Sequence, residues 1–189
     1  MDPLSQTLKQ ITGVLNAMSV RYAIGGSLAS SARSIWRSTM DVDLVADIRP
    51  SQAEELVHAL GKDWYADLDT VRKSILAGRS FNIIHMQTVM KVDVFPARDA
   101  FHQAQLERAT VLPLAEALVP CPVTTAEDIL LAKLRWYADG GEVSDRQWND
   151  IVGLIAINPT MDLEYVRLWA GRLGVTRLLE RAQAAAAED

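Results

Sequence analysis

The stretch that most restricts how this chain can fold is Asp41-Val42-Asp43-Leu44-Val45, entered through Thr39-Met40. Its apolar and β-branched residues favour an extended strand. A strand turns successive side chains to opposite faces, so Asp41 and Asp43 point the same way. Two carboxylates about 7 Å apart on one face repel unless something positive lies between them. A hard divalent cation such as Mg²⁺, which prefers oxygen ligands, meets that need. On these two residues alone, an edge strand with its acids turned to water meets it equally well.

The flanking residues add to the pattern. Arg21-Tyr22-Ala23-Ile24 reads as a short strand, Gly25-Gly26-Ser27 as a turn, and Leu28 to Trp36 as a helix. Paired glycines let a backbone turn tightly and approach a ligand closely, and a helix start presents free N–H groups to an anion. Ser27 either touches such an anion or caps its helix. Arg37 either reaches a phosphate with its planar fork or pairs with a surface carboxylate. Further on, residues 81–86 and 90–95 form a hairpin pattern. In its second strand Lys91, Asp93 and Phe95 share one face, and Val92, Val94 and Pro96 the other. Asp93 is a lone acid among apolar residues. Burying an unpaired carboxylate costs several kcal/mol, so Asp93 must face solvent or meet a positive group.

Helical periodicity predicts helices over residues 3–18 and 51–60, with Gly61 as a stop; residues 62–79 carry a weaker signal, with a short helix read over 68–76, and 99–107 is read as a further helix. Residues 110–113 and 119–123 are extended pieces broken by proline. From Thr124 onward the chain is almost wholly helical. Capping boxes are expected at Thr124–Glu127 and Ser144–Gln147, and two further helices near 162–174 and 175–186. The division is therefore a mixed α/β core over 1–115 and a C-terminal helical region over 116–189. The net charge of −5 argues against a general nucleic-acid coat, leaving only a local basic patch at Arg33 and Arg37. The single cysteine, Cys121, permits no internal disulfide and suits a reducing, cytoplasmic setting. Between two prolines it reads as a packed side chain rather than a nucleophile. His85, flanking an apolar strand, reads as a core or edge histidine. Residues 1–18 hold no apolar signal segment, and no membrane span is expected.

Taken together, Ile24-Gly25-Gly26, Asp41-Val42-Asp43 and Asp93 within Lys-Val-Asp-Val-Phe resemble the DNA polymerase β-like nucleotidyltransferase superfamily. Gly-Gly-Ser-Leu-Ala followed by Arg-Ser-Thr-Met-Asp-Val-Asp-Leu resembles its abortive-infection branch, which includes toxins of toxin–antitoxin pairs. The likeness extends to minimal and aminoglycoside nucleotidyltransferases. It covers residues 21–95. The 14 residues between Gly26 and Asp41 exceed the usual family gap.

The resemblance implies a nucleotidyltransferase-type mixed sheet flanked by helices. It implies Mg²⁺-dependent transfer of an NMP from an NTP to a hydroxyl of a small molecule such as an aminoglycoside, of a tRNA or other RNA end, or of a protein. An antitoxin partner is possible on the same grounds. Asp41, Asp43 and Asp93 would be the catalytic acids and the ligands of two metal ions about 3.5–4 Å apart, with Asp93 also helping to deprotonate the acceptor. Gly25, Gly26, Ser27, Arg37 and Lys133 would bind the nucleotide. Lys133 reads equally as a snorkelling lysine. Asp145 is explained by its helix start, and Asp150 is a further site candidate. The alternative is a binding or regulatory protein that kept the fold without turnover.

Overall fold

The computed structural model describes residues 1–32 and 41–188. They fall into two compact units, residues 1–32 with 41–124, and residues 125–188.

The first unit is built on a mixed sheet. Its described strands are β1 (Tyr22–Ile24), β2 (Asp41–Ala46), β3 (Trp64–Tyr65), β4 (Phe81–His85), β5 (Met90–Pro96), β6 (Thr110–Leu114) and β7 (Val119–Val123), in the order β3-β4-β5-β2-β1-β7-β6. The pairs β2–β5 and β1–β7 are parallel and the others antiparallel. The most apolar strands take the centre: Ala23, Ile24, Val42, Leu44 and Val92 are fully buried. Among the described residues, the α-helices that accompany the sheet are α1 (Pro3–Ala17), α2 (Gly26–Ala32), α3 (Ala53–Leu60), α4 (Leu68–Ala77) and α5 (Ala100–Arg108). Helix α1 starts where Asp2 accepts a 2.8 Å hydrogen bond from the Ser5 N–H, with Pro3 in the first turn. Its Leu8, Ile11 and Leu15 form the buried stripe, and it packs on α3, β5 and β7.

Several expectations shift. Helix α2 begins at Gly26 rather than Leu28. The expected continuation of α2 to Trp36, and the strand entry at Thr39-Met40, lie outside the described residues. Strand β3 was not expected; two residues are too few to show a period. The sheet also continues past residue 115. Val123 pairs with Ile24, and the Thr124 N–H donates to the Ile24 carbonyl at 2.9 Å, so β7 belongs to the sheet and the first unit ends at Thr124. Pro120 and Pro122, which lack the N–H a central strand needs, precede the one position where β1 meets β7.

The second unit is helical: α6 (Ala126–Asp139), α7 (Asp145–Ile157), α8 (Leu163–Leu173) and α9 (Thr176–Glu188). Leu130, Leu134, Ile151, Val166 and Leu179 make its core. The cap of α6 sits one residue later than expected, and is a simple N-cap. Thr125, not Thr124, accepts from the Asp128 N–H, because the Thr124 hydroxyl is turned to the Ile24 carbonyl. Ser144 caps α7 as expected. Among the described residues, no helix is long and apolar enough to cross a membrane.

Candidate active site

The site arises from the register of β2 and β5. Asp41 lies beside Lys91, and Asp43 beside Asp93. Residues paired in adjacent strands send their side chains to the same face, and strands lie about 4.8 Å apart. Four side chains therefore stand at the corners of a rectangle about 4.8 by 7 Å, three acids and one lysine. Behind them, on the opposite face, Val42, Leu44, Val92 and Val94 are buried and hold both strands in place.

Lys91 brings a positive charge to this face. Its Nζ donates to Asp93 Oδ2 at 2.8 Å and lies 3.9 Å from Asp41 Oδ2. The hydrogen bond to Asp93, helped by the charges of Asp93, Asp41 and Asp43, holds the ammonium above its ordinary range against the opposing effect of burial. The two options open for Asp93 are thus both realised in part. Its side chain is 22% exposed, and a positive group meets it.

The glycine turn is clamped to the same strand. The Gly25 N–H donates to the Asp43 carbonyl at 2.9 Å, and the Ala29 N–H donates to the Gly25 carbonyl at 3.1 Å. The Gly25 amide therefore already has a backbone acceptor. Gly26 has φ +57°, and a Cβ built there would come within 2.6 Å of Asp43 Cγ and 2.9 Å of its Cβ. Only glycine allows the turn to lie so close over the acid. Ser27 follows in the first turn of α2 and is exposed.

Asp41, Asp43, Asp93, Gly25 and Gly26 are therefore gathered around one patch, with Ser27 next in the turn. Arg37, and with it Arg33 and Thr39, lies outside the described residues. Lys133 belongs to the helical unit, where its Nζ lies 3.3 Å from Asp150 Oδ2. Asp145 opens α7 directly after the Ser144 cap. Cys121 is fully buried in β7, and burial pushes its thiol up to about 11, which suits packing and not nucleophilic attack. His85 is also fully buried, with Nδ1 2.7 Å from the Thr88 hydroxyl.

Two residues on the acid face had no role assigned from sequence. Lys91 was placed on that face by strand alternation, but its approach to Asp41 needed the β2–β5 register. Asn82 pairs with Asp93 across β4–β5 and is exposed on the same side. No local sequence signal marks it.

The donor set suits a hard divalent cation: three carboxylates share one face, and two of them already meet the Lys91 ammonium. As the side chains stand, no three His, Cys, Asp or Glu among the described residues are arranged to hold a metal ion. The Lys91 ammonium takes the place between Asp41 and Asp93.

The fold recurs in solved structures. The antibiotic-resistance factor ANT(2'')-Ia in solution matches over 100% of this chain and 97% of its own, at 18% identity and a TM-score of 0.51. The crystal structure of ANT(2'')-Ia with adenylyl-2''-tobramycin matches over 89% and 95%, at 16% identity and a TM-score of 0.50. The lincomycin-bound lincosamide antibiotic adenylyltransferase LnuA matches over 80% and 96%, at 14% identity and a TM-score of 0.50. The chain has the nucleotidyltransferase fold. At these identities the likeness is one of fold, and it carries no assignment to the abortive-infection branch. No protein-family model matches the sequence, and no curated protein matches it. Within the nucleotidyltransferase fold, Asp41, Asp43 and Asp93 stand on two central, parallel strands, beside the turn that leads from β1 into α2.

Proposed function

We propose that this chain is a Mg²⁺-dependent nucleotidyltransferase that moves an NMP from an NTP to a hydroxyl of a small molecule. The observation that carries the reading is the pairing of Asp43 with Asp93 beneath Gly26, with Asp41 on the same face. Asp41, Asp43 and Asp93 are the residues that would hold Mg²⁺. When bound, the ion neutralises triphosphate charge and polarises the phosphoryl group that is transferred. The amides of Gly26 and Ser27, together with the Ser27 hydroxyl, donate to triphosphate oxygens. Asp93 accepts the proton of the acceptor hydroxyl. The acceptor oxygen forms a bond to the α-phosphorus as the bond to the pyrophosphate oxygen breaks, and pyrophosphate leaves. The protein's contribution is positioning and charge.

A small-molecule acceptor is favoured on two grounds. Solved proteins matched along most of their length carry adenylyl-2''-tobramycin or lincomycin. The acidic balance of the chain, −5, suits a cationic antibiotic better than a long RNA. The alternative, a nucleotidyltransferase-fold binding protein without turnover, has one observation on its side: a lysine already satisfies Asp93.

The deciding experiment incubates the protein with each of the four NTPs, Mg²⁺ and a panel of acceptors: aminoglycosides, lincosamides, tRNA and lysate protein. The abortive-infection likeness is the reason to include the last two. Mass spectrometry should find one NMP added to a small molecule, and Asp43→Asn or Asp93→Asn should abolish it. A Tm that rises with NTP and Mg²⁺, without transfer to any acceptor class, would favour the binding protein. Neither transfer nor a Tm shift would refute both readings.

A further inference from the structure

We propose that Lys91 is a positioning residue, a tethered counter-ion that holds the carboxylates of Asp93 and Asp41 ready and competes with the divalent cation for them. The inference rests on the metal reading above. Three acids share one face, and Lys91 supplies a positive charge at the fourth corner, 2.8 Å from Asp93 and 3.9 Å from Asp41. A cation bound by those carboxylates and the ammonium cannot occupy the same space. One of them must leave, and only Lys91 is able to. Its four-carbon stem is flexible and its side chain is 39% exposed, so the ammonium can swing into water with little desolvation to undo. The carboxylates sit on short side chains whose Cβ atoms are fixed by two paired strands, so they reach less far than the lysine. Lys91 thus keeps the acids from repelling one another before the substrate arrives, and it raises the cation concentration needed to fill the site. A neutral residue of the same length would leave the carboxylates more open to the cation.

The test uses the whole chain without nucleotide and Mn²⁺ as the probe, with free Mn²⁺ counted by electron paramagnetic resonance. Lys91→Met should bind Mn²⁺ about fivefold more tightly than wild type, the factor a partly exposed ion pair supplies. Lys91→Arg, which restores the charge, should return to within about twofold of wild type on the same footing. Asp93→Asn should weaken binding sharply. Circular dichroism checks that each variant folds, and Lys91→Gln replaces the methionine variant if that one does not. Equal or weaker Mn²⁺ binding by the neutral variant, with wild type binding and Asp93→Asn not, overturns the role of Lys91 alone. No Mn²⁺ bound by wild type or the neutral variant overturns the metal reading and this inference with it.

Discussion

Replacing Gly26 by alanine tests the close approach of the glycine turn to Asp43. The added Cβ would meet Asp43 Cγ at 2.6 Å and its Cβ at 2.9 Å. A new rotamer can move the carboxylate away, but not the Asp43 Cβ, which is fixed to β2. Nor can the turn drift off easily, because the Gly25 N–H is bonded to the Asp43 carbonyl at 2.9 Å. The left-handed φ of +57° adds about 1–2 kcal/mol for a residue with a Cβ. Forcing the two segments apart costs about 1–3 kcal/mol more, as overpacking generally does. Loss of unfolded-state freedom returns about 0.4–1 kcal/mol. The net expectation is a destabilisation of about 2–4 kcal/mol, or roughly 5–15 °C in Tm for a chain of this size. Gly25→Ala is the control. Nothing lies within 4 Å of a Cβ built there, so that variant should stay within about 1 kcal/mol of wild type. Urea denaturation and calorimetry measure both variants, and Mn²⁺ binding measures the displaced carboxylate. Equal stability of the two variants would show that Gly26 does not lie against Asp43 as described.

Three further outcomes concern buried groups elsewhere in the fold. Burial depresses the His85 imidazole, with the Asp63 charge opposing. Its neutral form is the native one, so its contribution to stability is complete above about pH 6.5 and is lost as pH falls from there through the depressed native value. His85→Leu should flatten the stability profile between pH 7 and 5.5, read by urea midpoints; an unchanged slope would contradict the assignment. Cys121, fully buried with its thiol pushed up to about 11, should resist a disulfide reagent at pH 8 in the native protein and react promptly in urea. In the helical unit, Tyr165→Phe removes the 2.6 Å donor to the fully buried Asp128 and should cost about 1–3 kcal/mol in urea denaturation.

What the chain states locally, it states clearly. The alternation in residues 90–96 placed Lys91 and Asp93 on one face, and the helices at 3–18 and 51–60 showed their apolar stripes. Gly-Gly before a helical run and acid-x-acid in a strand are short-range patterns with short-range causes, so the strand carrying Asp41 and Asp43 and the turn at Gly25-Gly26 could be read from the residues. Some features lay beyond such reading. The two residues of β3 are too short to show a period, and residues 119–123, legible as extended, gave no local sign that they join the sheet beside β1, which they meet only at Val123. The helix cap moved by one residue, to Thr125, while Thr124 found a partner 100 positions away.

The sequence by itself determined the residue types of the acid face and the turn that lies over it, since both depend on neighbours one to four positions apart. Only the tertiary structure decided that Asp43 and Asp93, 50 positions apart, are register partners, that the Gly25 amide is already bonded to β2, and that Lys91 reaches Asp93 and Asp41. Strand pairing and register are set by which faces bury together, a property of the assembled sheet that no single strand contains.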